Sequence, residues 1–384
     1  MNNRFSLLVL AMLTSSLVLS GCSLKNEASK AAAESEETEK EGSGEAAAEE
    51  AAKETEKEAE PEEEEKIPER VYMFMPGSRT DRRWSGDASV IRSALREEGY
   101  RVFTEYAGDD PSNQKGQISN AILEETVAMI VAPVDPYSLS DVLEEADEAG
   151  IRVFDYDELI MDTNAIDFFI TFDDREAGHM MADKAAEAFN LDKYKEGDES
   201  HMIRILSGNQ ENISDLFTYN GVKEQLQQYY ESGALIDAEE DEVPDIFILA
   251  DGKAAASERD TYDDTEELYV IVSDNSAETV QKVVDGSIDA VLIRDSRDLA
   301  KLCADTVITR LSGDDPEVSN YEEYDNGLKL IKAATCTPQI VDGTSWQLLI
   351  DDGFFAPGEI TVPSEETEEG AEEEETTQET AENE

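Results

Sequence analysis

Segments of strand character alternate with segments of helical period along most of this chain. VAMIVAPV at 127–134 is an unbroken apolar run, and SLSDVLEEADEAG at 138–150 has the helical period between a serine and a glycine. Repeated units of this kind predict a parallel sheet covered on both faces, because a parallel crossover needs a connection of about a dozen residues or more. We therefore expect an α/β fold.

The alternation extends from about residue 70 to residue 295 and restarts after 167. The predicted strands are 70–76, 101–107, 127–134, 151–157, 167–172, 201–208, 245–252, 268–274 and 288–295. The predicted helices are 84–99, 112–125, 138–150, 173–189, 213–230 and 276–286. About 300 residues exceed what one hydrophobic core usually spans, so two α/β lobes are expected.

Acidic side chains stand at the ends of several predicted strands. VFDYDELI at 153–160 places Asp155, Asp157 and Glu158 after an apolar approach, and Asp251 and Asp274 follow two later strands. In open α/β sheets, ligands bind beyond the carboxyl ends of the strands. Carboxylates accept strongly from hydroxyl groups, as a sugar requires, but would hold a cation or an amine equally well. The pattern alone leaves these ligand classes open.

The chain is strongly acidic. It has 92 acidic and 31 basic residues, a net charge of −61, and residues 67–363 alone hold 64 acidic and 24 basic residues, a net −40. Like charges repel, so nucleic acid and an anionic membrane surface are excluded as partners of this part.

The N-terminus has the pattern of a lipoprotein signal. Arg4 precedes an apolar stretch that ends at Leu19-Ser20-Gly21-Cys22, which resembles the bacterial lipobox. We predict a signal peptide over 1–21, a lipid on Cys22 and a location on the extracytoplasmic face of the membrane; an uncleaved anchor helix is the alternative. Residues 22–66 and 363–384 are highly acidic and predict a disordered tether and a disordered tail.

No arrangement of residues typical of an enzyme is found. His179 and His201 are isolated, and no nucleophile stands near a base, so neither catalysis, a cofactor nor a metal site is expected. Cys303 and Cys336 are predicted to be buried free thiols, with a disulfide as the alternative.

Five motifs together resemble the multiple-monosaccharide-binding and xylose-binding members of the type I periplasmic binding proteins. They are MPGSRTDRRWSGD, YAGDDPSNQKGQISNAI, VFDYDELIMDTNAIDFFITFDD, TVQKVVDGSIDAVLIRDSRDLA and YDNGLKLI. The resemblance runs from about 70 to 356 and implies two Rossmann-like lobes with parallel sheets, joined by a three-stranded hinge. It implies an N-terminal lobe of 67–169 plus 294–332 and a C-terminal lobe of 170–293 plus 333–362.

The resemblance also implies a set of ligand-binding residues. These are Arg83, Asp157, Glu158, Asn212, Asp251, Asp274 and Arg294, while Trp84 is either core or cleft wall. Four positions depart from the family pattern: Glu158 stands where an Arg is usual, Ile213-Ser214 replaces an Asn pair, and Arg294 replaces a Lys. Because an acidic cleft needs a cation, we predict that Glu158 lies beside Asp157, within reach of Arg83 or Arg294.

The second lobe is expected to lack one βα unit. Ile246 follows Ile236 by ten residues, which is too short for a further parallel crossover. The strand and the Trp-bearing segment that the family places there would then be missing.

The function implied is capture of a monosaccharide, a related polyol or an amino sugar for an ABC permease by a monomeric, membrane-anchored protein. Two alternatives stay open. One is a sensing component for a chemoreceptor or kinase, and the other is a surface interaction protein with a degenerate cleft. The sequence does not identify the sugar.

Overall fold

The computed structural model of the chain describes residues 68–209, 212–239, 242–249, 268–320 and 323–361. The predictions for 1–21, 22–66 and 363–384, including the lipid on Cys22, lie outside these residues. The described residues form two six-stranded sheets flanked by helices. The α/β fold with two mostly parallel sheets is therefore confirmed.

The first sheet is parallel throughout. Its spatial order is β2–β1–β3–β4–β5–β11, formed by β1 (Arg70–Met75), β2 (Arg101–Tyr106), β3 (Thr126–Val131), β4 (Arg152–Tyr156), β5 (Ile166–Phe172) and β11 (Ala333–Cys336). Its helices are α1 (Arg82–Glu97), α2 (Pro111–Ile122), α3 (Ser140–Glu148) and α7 (Ser296–Leu311). Helices α1 and α7 pack on one face of the sheet, and α2 and α3 pack on the other.

The second sheet has the order β7–β6–β8–β9–β10–β12 and is parallel except for its last pair. Its strands are β6 (His201–Leu206), β7 (Leu235–Asp237), β8 (Ile246–Leu249), β9 (Tyr269–Ser273), β10 (Ala290–Ile293) and the antiparallel β12 (Gln339–Asp342). Its helices are α4 (Asp174–Ala188), α5 (Ile213–Ser232), α6 (Ala277–Val284) and α8 (Leu348–Asp351), with a short 3-10 turn at Leu191–Lys193. No helix in the described ranges is both long enough and apolar enough to span a bilayer.

The central strands are apolar on both sides because both of their faces are covered. The sequences IFIL of β8 and AVLI of β10 are buried at every position. Parallel strands enclosed by two helical layers are expected to have such continuous apolar runs rather than alternation. This is why the sequence identifies these strands well.

The chain crosses between the sheets three times. It passes from β5 into α4, from β10 into α7, and from β11 into β12. The first and third crossings are joined by a hydrogen bond from the Asp173 N–H to the Cys336 carbonyl, 2.9 Å. These crossings form the predicted three-stranded hinge.

The predicted lobe boundaries need a correction. Strand β5 continues to Phe172 and β11 lies wholly in the first sheet, so the first lobe extends beyond 169 and beyond 332. The ends of β5 and β11 belong to the first sheet because these two strands pair in parallel with each other.

The prediction that one βα unit is missing from the second lobe is wrong for the strand of that unit, because β7 is present. Both β7 and β8 pair in parallel with β6, on its two opposite sides, so the second sheet has as many described strands as the first. In the first lobe, α2 connects the corresponding strands. Between β7 and β8, the described residues 238–239 and 242–245 contain no helix. The short connection from β7 to β8 therefore passes over β6, and its described residues form no crossover helix.

The two described cysteines are free thiols, as predicted. Cys303 lies on α7 in the core, and burial raises the pKa of its thiol well above the usual range. Cys336 is partly buried at the end of β11, where burial raises its pKa to about 12. Neither thiol is a reactive thiolate at neutral pH.

Helices α4 and α5 pack at backbone distance through two glycines. A Cβ added at Gly178 would lie 2.1 Å from the Thr218 carbonyl oxygen, and one added at Gly221 would lie 2.2 Å from the Arg175 carbonyl oxygen. These neighbours are backbone atoms, which cannot rotate away. The close approach fixes the position of α5, whose first turn contributes to the cleft described below.

We predict that Gly178→Ala destabilises the protein by about 3 kcal/mol, because the added methyl group must push two helices apart. Gly116→Ala in α2 is the matched control: no atom lies within 4 Å of its added Cβ, and alanine is the better helix former. Urea unfolding of both variants measures the effect. Equal stability of the two variants would contradict the packing.

Candidate functional site

A polar cavity of about 240 Å³ lies where the carboxyl ends of strands from both sheets meet. It is lined by Arg83, Asp157, Glu158, Thr171, Phe172, Asp174, Asn212, Ser214, Asp215, Asn275 and Arg294. We call this set the cleft. Five of the seven ligand-binding residues predicted from sequence are members of it. The cleft spans the first crossing of the hinge, so both lobes contribute to one site.

Arg83 is positioned by the start of α1. The Asp81 carboxylate accepts hydrogen bonds from the N–H groups of Arg83 and Trp84, at 2.9 and 3.3 Å, and so caps the helix. From the first turn, the Arg83 guanidinium pairs with Asp157 and stacks 4.3 Å from the centre of the Trp84 ring. Trp84 is partly buried against the core and is not among the residues that line the cleft.

Asp157 follows β4 in a left-handed backbone conformation, with φ of 77°. This conformation is unfavourable for most residues, although aspartate tolerates it better than most. Hydrogen bonds from its N–H to the Ile170 carbonyl (2.8 Å) and from the Thr171 hydroxyl to its own carbonyl (3.1 Å) hold it in place. The result is a carboxylate aimed at the cleft from a fixed backbone.

The left-handed residue also ends the alternation of the strand. Asp155 does not share the direction of Asp157 but is fully buried, and it accepts a hydrogen bond from the Ile160 N–H at 2.7 Å. Burial raises its pKa well above the usual range for a carboxyl. Asp155 therefore stabilises the loop after β4 and does not line the cleft.

Glu158 lies at the cleft beside Asp157, as predicted, but the predicted ion pair is wrong. In the described residues, no hydrogen bond or ion pair reaches its carboxylate. Arg83 instead pairs with Asp157, and Arg294 pairs with Asp174. Burial, Asp157 and Asp135 raise the pKa of Glu158. The prediction places a guanidinium near Glu158, but the charged groups near it are the carboxylates of Asp157 and Asp135.

Arg294 is the best-connected cation of the cleft. It leaves the end of β10 and contacts Asp174 at 2.8 to 2.9 Å, the Thr218 hydroxyl at 2.8 Å and the Ser273 hydroxyl. The Asn275 side chain holds its backbone, accepting from its N–H and donating to its carbonyl at 2.9 and 2.8 Å. Burial raises the pKa of Asp174 despite the opposing effect of Arg294 and a bond from Ser214.

Asn212 joins the cleft from the start of α5. Its side-chain oxygen accepts the Asp215 N–H at 3.1 Å and caps the helix. The cap uses the side-chain oxygen, so the amide nitrogen, a hydrogen-bond donor, takes no part in it. Ser214, at the family's Asn-pair position, is also a cleft residue.

Two predicted ligand residues are not placed in the cleft. The Asp274 carboxylate accepts bonds from the Ser276 N–H and hydroxyl, at 3.0 and 2.8 Å, and from the Thr279 hydroxyl, so it organises the start of α6. Its role as a ligand contact is not supported by this position, and the neighbouring Asn275 reaches the cleft instead. Asp251 lies outside the described residues.

Sequence reasoning missed several cleft residues. Among them are Asp174, Thr171, Phe172 and Asn275. Asp174 was recognisable only as one acid in the first turn of a helix, where many acids merely complement the helix dipole. Its full burial is the informative property, and no local pattern reveals it.

Asp87 forms a buried network behind the cleft. It is 2% exposed and accepts hydrogen bonds from the Tyr156 hydroxyl (3.0 Å) and the Ser296 hydroxyl (2.7 Å), with the Arg83 Nε 3.8 Å away. Burial raises its pKa to about 6, although the two hydroxyls and Arg83 favour the ionised form. Since Ser296 begins α7 just after the second crossing, this network connects α1 with the hinge.

Comparison with known proteins identifies relatives over most of the chain. Residues 71–246 match a family model described as periplasmic binding protein domain. A multiple sugar-binding periplasmic receptor of Rhizobium radiobacter is 26% identical over 321 residues, covering 74% of this chain and 90% of the receptor. A multiple sugar-binding periplasmic protein of Azospirillum brasilense is 25% identical, covering 74% and 89% of the two chains.

Solved structures share the fold. An ABC transporter solute-binding protein from Clostridium phytofermentans, solved with bound β-D-glucose, superimposes with a TM-score of 0.64 at 24% identity. The match covers 76% of this chain and all of that chain. This likeness shows the same two-lobed fold.

We predict that the buried Asp87 carboxyl makes stability fall as pH rises from about 4 to about 6. Its native pKa is near 6 and an unfolded aspartate titrates near 4, so the native state holds the proton more tightly over this window. Asp87→Asn cannot ionise. The difference in the free energy of unfolding, Asp87→Asn minus wild type, should therefore increase by about 3 kcal/mol from pH 4 to pH 7.

Urea unfolding at several pH values measures this difference. Asp147→Asn on the exposed face of α3 is the control. A flat difference for Asp87→Asn over the same range would contradict the prediction.

Proposed function

Because the chain carries a periplasmic binding protein domain and is homologous to sugar-binding periplasmic proteins, we propose that it captures a monosaccharide-class solute for an ABC importer. The family consists of solute-binding proteins, not enzymes. The proposed ligand position is the cleft, and the proposed partner is a permease that accepts the closed, loaded form.

The observation that carries this proposal is the composition of the cleft. Carboxylates accept hydrogen bonds from hydroxyl groups, and amide side chains can accept from them or donate to them. Two arginines are held rigidly by Asp157 and Asp174. A volume of about 240 Å³ suits a ligand smaller than the usual drug-sized molecule. A cleft that had lost its function would have no need to keep a left-handed Asp157 and a buried ion pair, both of which are costly.

Binding would act through the hinge. The cleft is lined by residues from the ends of both sheets, and three crossings connect those sheets in the described residues, so rotation about the crossings would open and close the site. A ligand that contacts both walls favours the closed state by its differential affinity. Closure on the microsecond to millisecond scale is typical of such domain motions.

We predict that Asp157→Asn weakens monosaccharide binding by about tenfold or more, because a charge-assisted hydrogen bond becomes a neutral one. Asparagine tolerates the left-handed backbone, so the fold is preserved. Isothermal titration with D-glucose, D-xylose, D-galactose and myo-inositol measures the affinities. Asp274→Asn, outside the cleft, is the matched control and should bind as the wild type does. A wild-type protein that binds neither these sugars nor an amino sugar at millimolar concentration would refute the proposal.

We further propose that Cys22 anchors the protein to the extracytoplasmic face of the membrane. Two acyl chains suffice for stable anchoring, at about 0.8 kcal/mol per buried methylene. Metabolic labelling with palmitate should mark the wild type and the Cys336→Ser control, whereas Cys22→Ala should lose the label and leave the membrane fraction. Label that persists in Cys22→Ala would contradict the anchor.

A further inference from the structure

The charges of the cleft do not balance. Its lining contains four carboxylates, on Asp157, Glu158, Asp174 and Asp215, and two guanidiniums, on Arg83 and Arg294. No lysine or histidine lines it. A ligand that enters this cleft therefore meets an excess of negative charge at close range, and closure removes the water that would screen it.

Both guanidiniums are already committed. Arg83 pairs with Asp157 and has Asp87 as its second carboxylate neighbour, 3.8 Å away. Arg294 uses Nε and both terminal nitrogens on Asp174, Ser273 and Thr218. Turning either one toward Glu158 would leave a buried or half-buried carboxylate without its cation, which is strongly unfavourable.

Asp215 accepts the Asn209 N–H at 2.8 Å, so Glu158 is the cleft carboxylate that no described cation or donor holds. It is half-buried, no donor in the described part of the chain reaches it, and its charged neighbours, Asp157 and Asp135, are both acidic. A carboxylate in this position favours a proton, a metal ion or an ammonium group.

A metal ion is the least suited of the three. The described residues contain no group of three or more carboxylate, imidazole or thiolate side chains close enough to hold one. An ammonium group needs only one carboxylate and a few acceptors, since it carries three donors on a single charge. The cavity leaves room for such a group on a ligand of monosaccharide size.

Resting on the proposed function, we propose that the cleft prefers a monosaccharide with a free amino group, and that Glu158 is the counter-ion of its ammonium. The hydroxyl groups of the same ligand are bound by Asp157, Asn212 and the edges of the two arginines. Acetylation of the amine would remove the charge, and a uronic acid would add a second like charge, so both should bind less well.

The experiment compares matched sugars by isothermal titration against the full chain at neutral pH. D-glucosamine, D-glucose, N-acetyl-D-glucosamine and D-glucuronic acid form one series, and the galacto sugars form a second, so that an unknown stereochemical preference does not hide the effect. In the preferred series, the amine should bind about tenfold or more tighter than the parent sugar. The advantage should shrink as salt is raised.

Glu158→Gln tests the assigned residue. In this variant, the dissociation constant of the parent sugar should exceed that of the amine by about twofold or less, instead of about tenfold or more. Glu148→Gln, on the exposed face of α3, removes the same charge outside the cleft and should leave that ratio unchanged.

The outcomes separate the two proposals. Parent sugars that bind as tightly as amines, or a ratio that Glu158→Gln does not alter, would overturn the amino-sugar preference while sugar capture stands. If neither series binds at all, sugar capture fails together with the preference.

Discussion

The buried ion pair between Arg294 and Asp174 is the interaction on which the rest of the site depends. It joins the end of β10 to the first turn of α4, and the Thr218 hydroxyl extends it to α5. A buried charge pair stabilises a fold only when every remaining donor and acceptor is satisfied. Here two hydroxyls and the Asn275 amide complete the set, so the pair fixes the geometry of one cleft wall.

The opposite wall is fixed by other means. Asp157 leaves its strand in a left-handed conformation, and the two hydrogen bonds to β5 keep it there. Arg83 approaches from the start of a helix that Asp81 caps. Each cation of the cleft is thus oriented by a carboxylate within its own wall, and neither of them pairs with Glu158.

The fold was largely predictable because its strands are buried on both faces and read as apolar runs. The short edge strand β7 was missed, since three residues with two of them exposed carry no such signal. The site was predicted less completely. Strand alternation would turn Asp155 to the same side as Asp157, but the positive φ at Asp157 ends the alternation, and Asp155 is buried. The direction of Arg294 depended on Asp174, which is 120 residues away in sequence, and no local pattern could provide that pairing.

The described part of the connection between β7 and β8 forms no helix, and this has a consequence for how the protein unfolds. β1 of the first sheet is buried at four of its six positions, whereas β6, its counterpart in the second, is fully buried at only one of six. Regions with few buried apolar contacts open locally at a lower free energy than the whole domain. The β6–β7 edge would therefore exchange its amide hydrogens and admit proteases before the first lobe does. The first lobe and the β6–β7 edge would then differ in the free energy of local opening within one folded chain.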